Sequence, residues 1–228
     1  MRTKSQETPT HHVDAGSSRR SVLKWTGGAV AFGAIFGGRL PNFGISEALA
    51  ADLGEGDIGI LNYAYALEQL EAAFYTMAVE SPFGGITEEE TQILTDLRDH
   101  EVEHREFLKG ALADKAIPAL GVDFSAVNFG DRHSVLETAR TFEDLGVSAY
   151  NGAGKLLENP DYLVAAGRIV SVEARHAAAI RDLIQPGSVA FAGPDVVDMS
   201  GLDVALPPAE VLAAADPFIT TEVTANSL

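Results

Sequence analysis

The sequence predicts an all-α fold: a four-helix bundle with one long crossover between its second and third helices, followed by an irregular C-terminal tail. Three observations carry this. Apolar residues recur at helical spacing in four long segments, three of those segments open on N-terminal capping signals, and the connections between them run short, long, short.

The first helix is expected from Asp57 to about Val79, with Ile60, Tyr63, Leu67, Leu70, Phe74 and Met77 on one face. Thr87-Glu88-Glu89-Glu90 fits a capping box, in which a hydroxyl and a carboxylate satisfy the free amides of a first turn, and opens a second helix to about Ala113. Ser134-Val135-Leu136-Glu137 repeats the signature and opens a third helix to about Leu157. Asn159-Pro160 supplies a cap and a first-turn proline for a fourth, which ends near Ile184 before Pro186-Gly187. Short links favour antiparallel neighbours, whereas the segment holding AIPALGVDFSAVNFGDR is long enough to cross the length of a bundle. Residues 51–186 therefore read as the bundle. Residues 187–228 read as an extension packed on it, with PPAEVLAAAD as a short helix.

Residues 1–50 read as an address. SRRSVLK is followed by the apolar run GGAVAFGAIFGG, too short to span a bilayer, and the segment ends in SEALAAD with small residues at Ala48 and Ala50. Paired Arg19 and Arg20 look like a twin-arginine export signal. The export machinery is then a partner, and the mature chain is periplasmic, cell-surface or extracellular, with no stable membrane span after cleavage. The leader holds six of the 16 basic and three of the 33 acidic residues, so its removal takes the net charge from -17 to -20. Such a surface does not suit nucleic acid, which needs clustered Lys and Arg. With no cysteine, any metal must be held by carboxylates and imidazoles.

Those ligands are present at the right spacing. In helix two the apolar stripe Leu94, Leu97, Glu101, His104, Leu108, Ala111 contains a Glu-x-x-His pair, and in helix four Ala166, Ile169, Glu173, His176, Ile180, Leu183 contains another. Residues three apart differ by about 60° around a helix and about 4.5 Å along it, so one metal can meet both. Helices one and three carry matching stripes: Leu61, Ala64, Glu68, Tyr75, Ala78 and Leu136, Ala139, Glu143, Tyr150, Ala153. The chain thus reads as two related halves. Four carboxylates in an apolar seam repel one another and are costly to desolvate. Two divalent cations balance Glu68, Glu101, Glu143 and Glu173, and neutral His104 and His176 complete six ligands.

Glu71 also falls inward on helix one, where its repeat counterpart is Gly146, and reads equally as a further ligand, a proton relay or a salt-bridged surface group. His100 precedes the ligand stripe by one position and reads as solvated or as a support to a ligand. Asp99, Glu103, Arg105 and Glu106 read as the solvated face of helix two.

These residues resemble the ferritin-like superfamily, whose di-iron and di-manganese members take one Glu from each of two helices and Glu-x-x-His from the other two. More narrowly, ILNYAYALEQLEAAFY, DHEVEHREFL, FEDLGVSAY, VEARHAAAIRDLI and GLDVALPPAEVLAAADPFI resemble exported ferritin-like proteins grouped with desiccation-related proteins. The resemblance implies bridging roles for Glu101 and Glu173, terminal roles for Glu68 and Glu143, and one imidazole per metal from His104 and His176. It implies two ions of iron or manganese, with zinc also compatible, and oxygen or peroxide as the small oxidant. Tyr75 and Tyr150 are then the candidate catalytic phenols or donors to the ligands. The alternative is a non-enzymatic, stress-protective bundle with a structural or vestigial metal site. An oligomer is compatible with either.

Overall fold

A computed structural model describes residues 50–225 and 228. The expected leader lies outside the described residues except for Ala50. In chain order the elements are β1 (Ala51–Asp52), α1 (Gly56–Glu80), α2 (Glu88–Leu112), α3 (Arg132–Ala153), α4 (Pro160–Ile184), α5 (Pro208–Ala215) and β2 (Val223–Thr224). Among the described residues no helix is long and apolar enough to cross a membrane.

The helix starts follow local chemistry. Thr87 forms the expected box: its hydroxyl accepts from the Glu90 amide at 3.1 Å, and Glu90 accepts from the Thr87 amide at 2.8 Å. Asn159 caps α4, with Pro160 as its first residue. The start of α3 differs from expectation. Asp131, not Ser134, is the cap, its carboxylate accepting from the Ser134 amide at 2.7 Å, while the Ser134 hydroxyl accepts from Asn128 N–H. α3 also stops at Ala153, passing into a 3₁₀ turn over Gly154–Leu156.

α1 packs chiefly on α2, and α3 on α4. α1 is buried nearly all round, because the crossover lies along its outer side. Two polar side chains of α1 hold it there. Asn62 donates to the Leu53 and Lys115 carbonyls and accepts from Ile117 N–H, and Gln69 accepts from Leu120 N–H at 2.9 Å. Crossover residues Phe124 and Phe129 pack against Phe74, the first edge-on and the second tilted, and Phe74 meets Phe142 edge-on with centroids 5.1 Å apart. Burying each such ring contributes about 1.5–3 kcal/mol.

The tail returns to both ends of the chain's order. β2 pairs in parallel with β1, and α5 packs on α3. Gly152 makes the second contact close, since a Cβ there would run into the Leu206 carbonyl. Buried Arg181 of α4 binds Asp144 of α3 and Asp195 of the tail, at 2.6 and 2.9 Å. At the other end, Asp57 of α1 accepts from the Glu158 and Asn159 amides, fixing the link between α3 and α4.

Candidate metal centre

The two stripes of each half converge in the middle of the bundle. Glu68 of α1, Glu101 of α2, Glu143 of α3 and Glu173 of α4 are all 0% exposed. Their carboxylate oxygens and two imidazoles form two overlapping groups: Glu68, Glu101, His104 and Glu173, and Glu101, Glu143, Glu173 and His176. Within each group one candidate ligand atom per residue lies within 4.8 Å of all the others. The overlap has a simple geometry. Glu101 turns Oε2 toward His104 Nδ1 (3.1 Å) and Oε1 toward His176 Nδ1 (2.7 Å). Glu173 does the same, with Oε1 at 3.0 Å from His104 and Oε2 at 4.0 Å from His176. Glu68 stands 3.5 Å from His104 alone, and Glu143 3.5 Å from His176 alone.

Proximity here is not hydrogen bonding throughout. Glu68 Oε2, Glu101 Oε1, Glu143 Oε2, both Glu173 oxygens and His176 Nδ1 are buried with no aligned hydrogen-bond partner among the described residues. Buried polar atoms are normally paired, and six unpaired acceptors facing one another leave lone pairs aimed at a common space. A hard cation fits that donor set: oxygen and imidazole ligands, no thiolate, and charge to be neutralised. These groups could hold a metal ion.

In its absence protons must do the neutralising. Burial pushes the Glu68 carboxyl up to about 8, the nearby His104 imidazole opposing the push and the neighbouring Glu101 charge adding to it. Burial likewise raises Glu143 and Glu173, and Glu101 adds to both shifts. For His104, burial works to lower the pKa, but the facing carboxylates of Glu101, Glu173 and Glu68 outweigh it and push it up to about 12. His176 follows suit, up to about 11, through Glu101 and Glu143. Only Glu101 among the four ligand carboxylates goes down, to about 2, because both imidazoles offset its burial. The metal-free centre therefore stores protons that a metal must displace.

Tyr75 and Tyr150 reach the centre crosswise. Each was expected on the face of the Glu in its own helix, and each instead donates to the Glu of the other. Tyr75 Oη lies 2.5 Å from Glu143 Oε1, and Tyr150 Oη 2.5 Å from Glu68 Oε1. Burial, with the neighbouring carboxylates, holds both phenols well above their ordinary pKa, so they act as donors that orient the outer oxygens of the two unshared carboxylates.

Glu71 and His100 are settled by the neighbouring helices. Glu71 is buried, 3% exposed, and points into the centre over Gly146, where a Cβ would stand 3.1 Å from Glu71 Oε1 and 3.3 Å from Glu173 Oε2. Burial, then Glu173, raises its pKa well above the ordinary carboxyl value. His100 has its edge in solvent, but its Nδ1 lies 2.8 Å from His176 Nε2 and the two rings are parallel, 6° apart. With His176 Nδ1 facing the carboxylates, its Nε2–H donates to His100, which fixes the tautomer a metal ligand needs. Asp99, Glu103 and Glu106 are exposed as expected, and Arg105 pairs with Glu106. Met77 and Ala111, expected on the inner stripes, are exposed; Leu112 is buried where Ala111 was expected, and Ala78, also expected inward, is buried.

The centre is open on one side. An open groove between α2 and α4, lined by Glu103, Phe107, Arg168 and Val172, reaches His104. A family model described as a ferritin-like domain matches residues 56–186, a span that contains all four long helices and every candidate ligand. No curated protein matches the chain.

Proposed function

Since the chain belongs to the ferritin-like domain family, we propose that its buried centre holds two divalent ions, iron or manganese, and reacts with oxygen or peroxide. One observation carries the reading: two four-ligand groups share Glu101 and Glu173, each of which turns one oxygen to either imidazole. In this reading Glu101 and Glu173 bridge, Glu68 with His104 completes one end, and Glu143 with His176 completes the other. A pair of redox-active ions supplies electron exchange with a small oxidant when bound. The chain's own residues set the conditions. Four carboxylates match the charge of two divalent ions, the two phenols hold the unshared carboxylates in place, and the apolar layers around them keep bulk water out.

The reading extends to residues 1–50 as a twin-arginine leader, which delivers the folded, loaded bundle outside the cytoplasm. The depth of burial favours a second reading, since four carboxylates at 0% exposure suit ions that hold the bundle together as well as ions that turn over. That reading joins the resemblance to desiccation-related proteins and makes the chain a stress-protective bundle with a structural metal.

Metal analysis of protein exported by its own route, then reconstituted with Fe(II) and Mn(II), tests the first part. About two ions per chain are expected, and less than one after reconstitution overturns the dinuclear reading. Oxygen and peroxide consumption by wild type and by Glu101→Ala/His176→Ala then separates the two functions. Consumption lost in a variant that stays folded supports an oxidant-reactive centre. No consumption by the loaded wild type, with unfolding on chelation, supports the structural one.

A further inference from the structure

One cavity in the bundle is lined by none of the six candidate ligands. It lies in the layer beside the carboxylates, toward the start of α1, and draws walls from α1, α2, α3 and α4. Its walls track the ligands: Ala64 is four residues before Glu68, Leu108 four after His104, and Ile169 four before Glu173. Four residues are about 6 Å along a helix axis, so the cavity is the next layer of the core. Tyr150 joins the two layers, lining the cavity and donating to Glu68 at 2.5 Å.

The space is left by small side chains, among them Ala64 and Ala149, where a seam of this kind usually carries Leu or Ile. Its volume is about 20 Å³. On that measure about 10–15 Å³ admits one water, and an engineered cavity of about 150 Å³ was needed for benzene, so only a molecule of two or so heavy atoms fits. The wall is almost wholly apolar. A buried water needs two to four polar partners, and the cavity offers few. Tyr63 lines it, is 1% exposed, and its hydroxyl has no hydrogen-bond partner among the described residues. The Tyr150 hydroxyl is already committed to Glu68. Hydrogen peroxide, polar at both ends, is no better served than water.

We infer that this cavity is a binding site for molecular oxygen, an apolar diatomic held one layer from the candidate metal centre, with Tyr63 in its wall. The inference rests on the reading of the centre as oxidant-reactive and selects oxygen over peroxide as the molecule this cavity delivers.

Krypton, an apolar atom, is the first probe, applied under pressure to crystals of the purified full chain with and without metal. A krypton peak bounded by Ala64, Tyr150 and Ile169 is expected. A water bonded to Tyr63 that krypton does not displace overturns the inference. Ala64→Leu, with Ala149→Val as the milder filling should the first not fold, then tests the route in loaded protein. The rate with oxygen is expected to fall about tenfold, with metal content and the rate with peroxide unchanged. An unchanged oxygen rate, or an equal loss toward both oxidants, overturns the assignment. If krypton binds but the loaded wild type reacts with neither oxidant, the proposed function fails while the apolar gas site stands.

Discussion

The half made by α1 and α2 and the half made by α3 and α4 present the same ligands in the same register, yet they differ at two positions beside those ligands. Glu68 and Tyr75 repeat as Glu143 and Tyr150, and Glu101 with His104 as Glu173 with His176. The phenols are even exchanged, each serving the other half's carboxylate. But Glu71 faces Gly146, and the residue four before the histidine is His100 in α2 and Val172 in α4. The consequence is visible at the imidazoles. His176, with a side chain 4% exposed, is met edge to edge by the parallel ring of His100, whereas His104, 13% exposed, borders the groove that Val172 helps to line. The candidate ligand set is symmetric between the halves. Access and charge are free to differ, and do.

The largest effect expected from breaking this arrangement falls on the shared carboxylates. Glu101→Gln or Glu173→Gln removes the charge that both four-ligand groups share and leaves one oxygen where two were offered, so metal content should drop to about a tenth of wild type or less, given that losing even a supporting partner costs 10–100-fold in affinity. Glu68→Gln and Glu143→Gln each touch one group and should leave about one ion per chain. Elemental analysis decides, and a full ion retained in Glu101→Gln would show that the carboxylate is not shared. Next in size is His100→Val, which makes α2 resemble α4 at that position. It takes the acceptor from His176 Nε2, and affinity for the metal at that end should fall about 10–100-fold, with the other end unchanged, as read by competition with a chelator.

The convergence of the candidate ligands is legible in the sequence because Glu and His interrupt stripes of Leu and Ile at steps of three and four, a pattern that fixes the direction of a side chain from its own helix. Two of the stripes misplace their last members for a physical reason. A seam read in sevens drifts by about 20° per heptad on a helix of 3.6 residues per turn. Met77 and Ala111 each lie seventeen residues from the first member and are exposed, whereas Leu112, five full turns after Leu94, is buried; Ala78 and Ala153, which end the stripes from Leu61 and Leu136, are buried as expected. What periodicity cannot supply is the neighbour on another helix. That Tyr75 meets Glu143, that His100 meets His176, and that Glu71 fills the space over Gly146 are facts of packing between segments about 70 residues apart. The cap of α3 fails differently: Ser134 fits the box in type, but Asp131 reaches the same amide from three residues earlier and leaves the serine to Asn128.

Glu71 sharpens the comparison through pH. Burial raises its folded pKa, so in the metal-free protein its contribution to stability is fully present below the unfolded value of about 4.3 and is lost as pH rises toward the folded value. Gln is close in shape to the protonated acid and cannot ionise. Chelated Glu71→Gln should therefore match wild type near pH 4 and gain on it above that, by about 1.4 kcal/mol per pH unit while Glu71 stays protonated in the folded state. Urea denaturation at pH 6 and 7 measures the difference, and parallel slopes would mean that Glu71 ionises in place.

The smallest effect is expected from restoring the missing symmetry on the open side. Val172→His puts in α4 the residue that α2 carries at His100, one turn before the ligand and on the same face. The new ring should meet His104 edge to edge as His100 meets His176, narrowing the groove between Phe107 and Arg168. No ligand is lost, so metal content should hold. What changes is approach from solvent, through a groove that carries Glu103 and Arg168 and so suits a polar oxidant. The peroxide rate should fall about threefold, less than one decade because the groove is narrowed and the centre itself is untouched. The oxygen rate should not follow, since the apolar cavity lies in the next layer along the bundle, toward the start of α1, and meets the groove only at Ala165 and Ile169. Ala64→Leu and Val172→His thus form a crossed pair, one slowing oxygen and the other peroxide. A Val172→His protein that loses both rates together, with its metal intact, would show a single path to the centre and make the asymmetry of the two histidines a matter of packing alone.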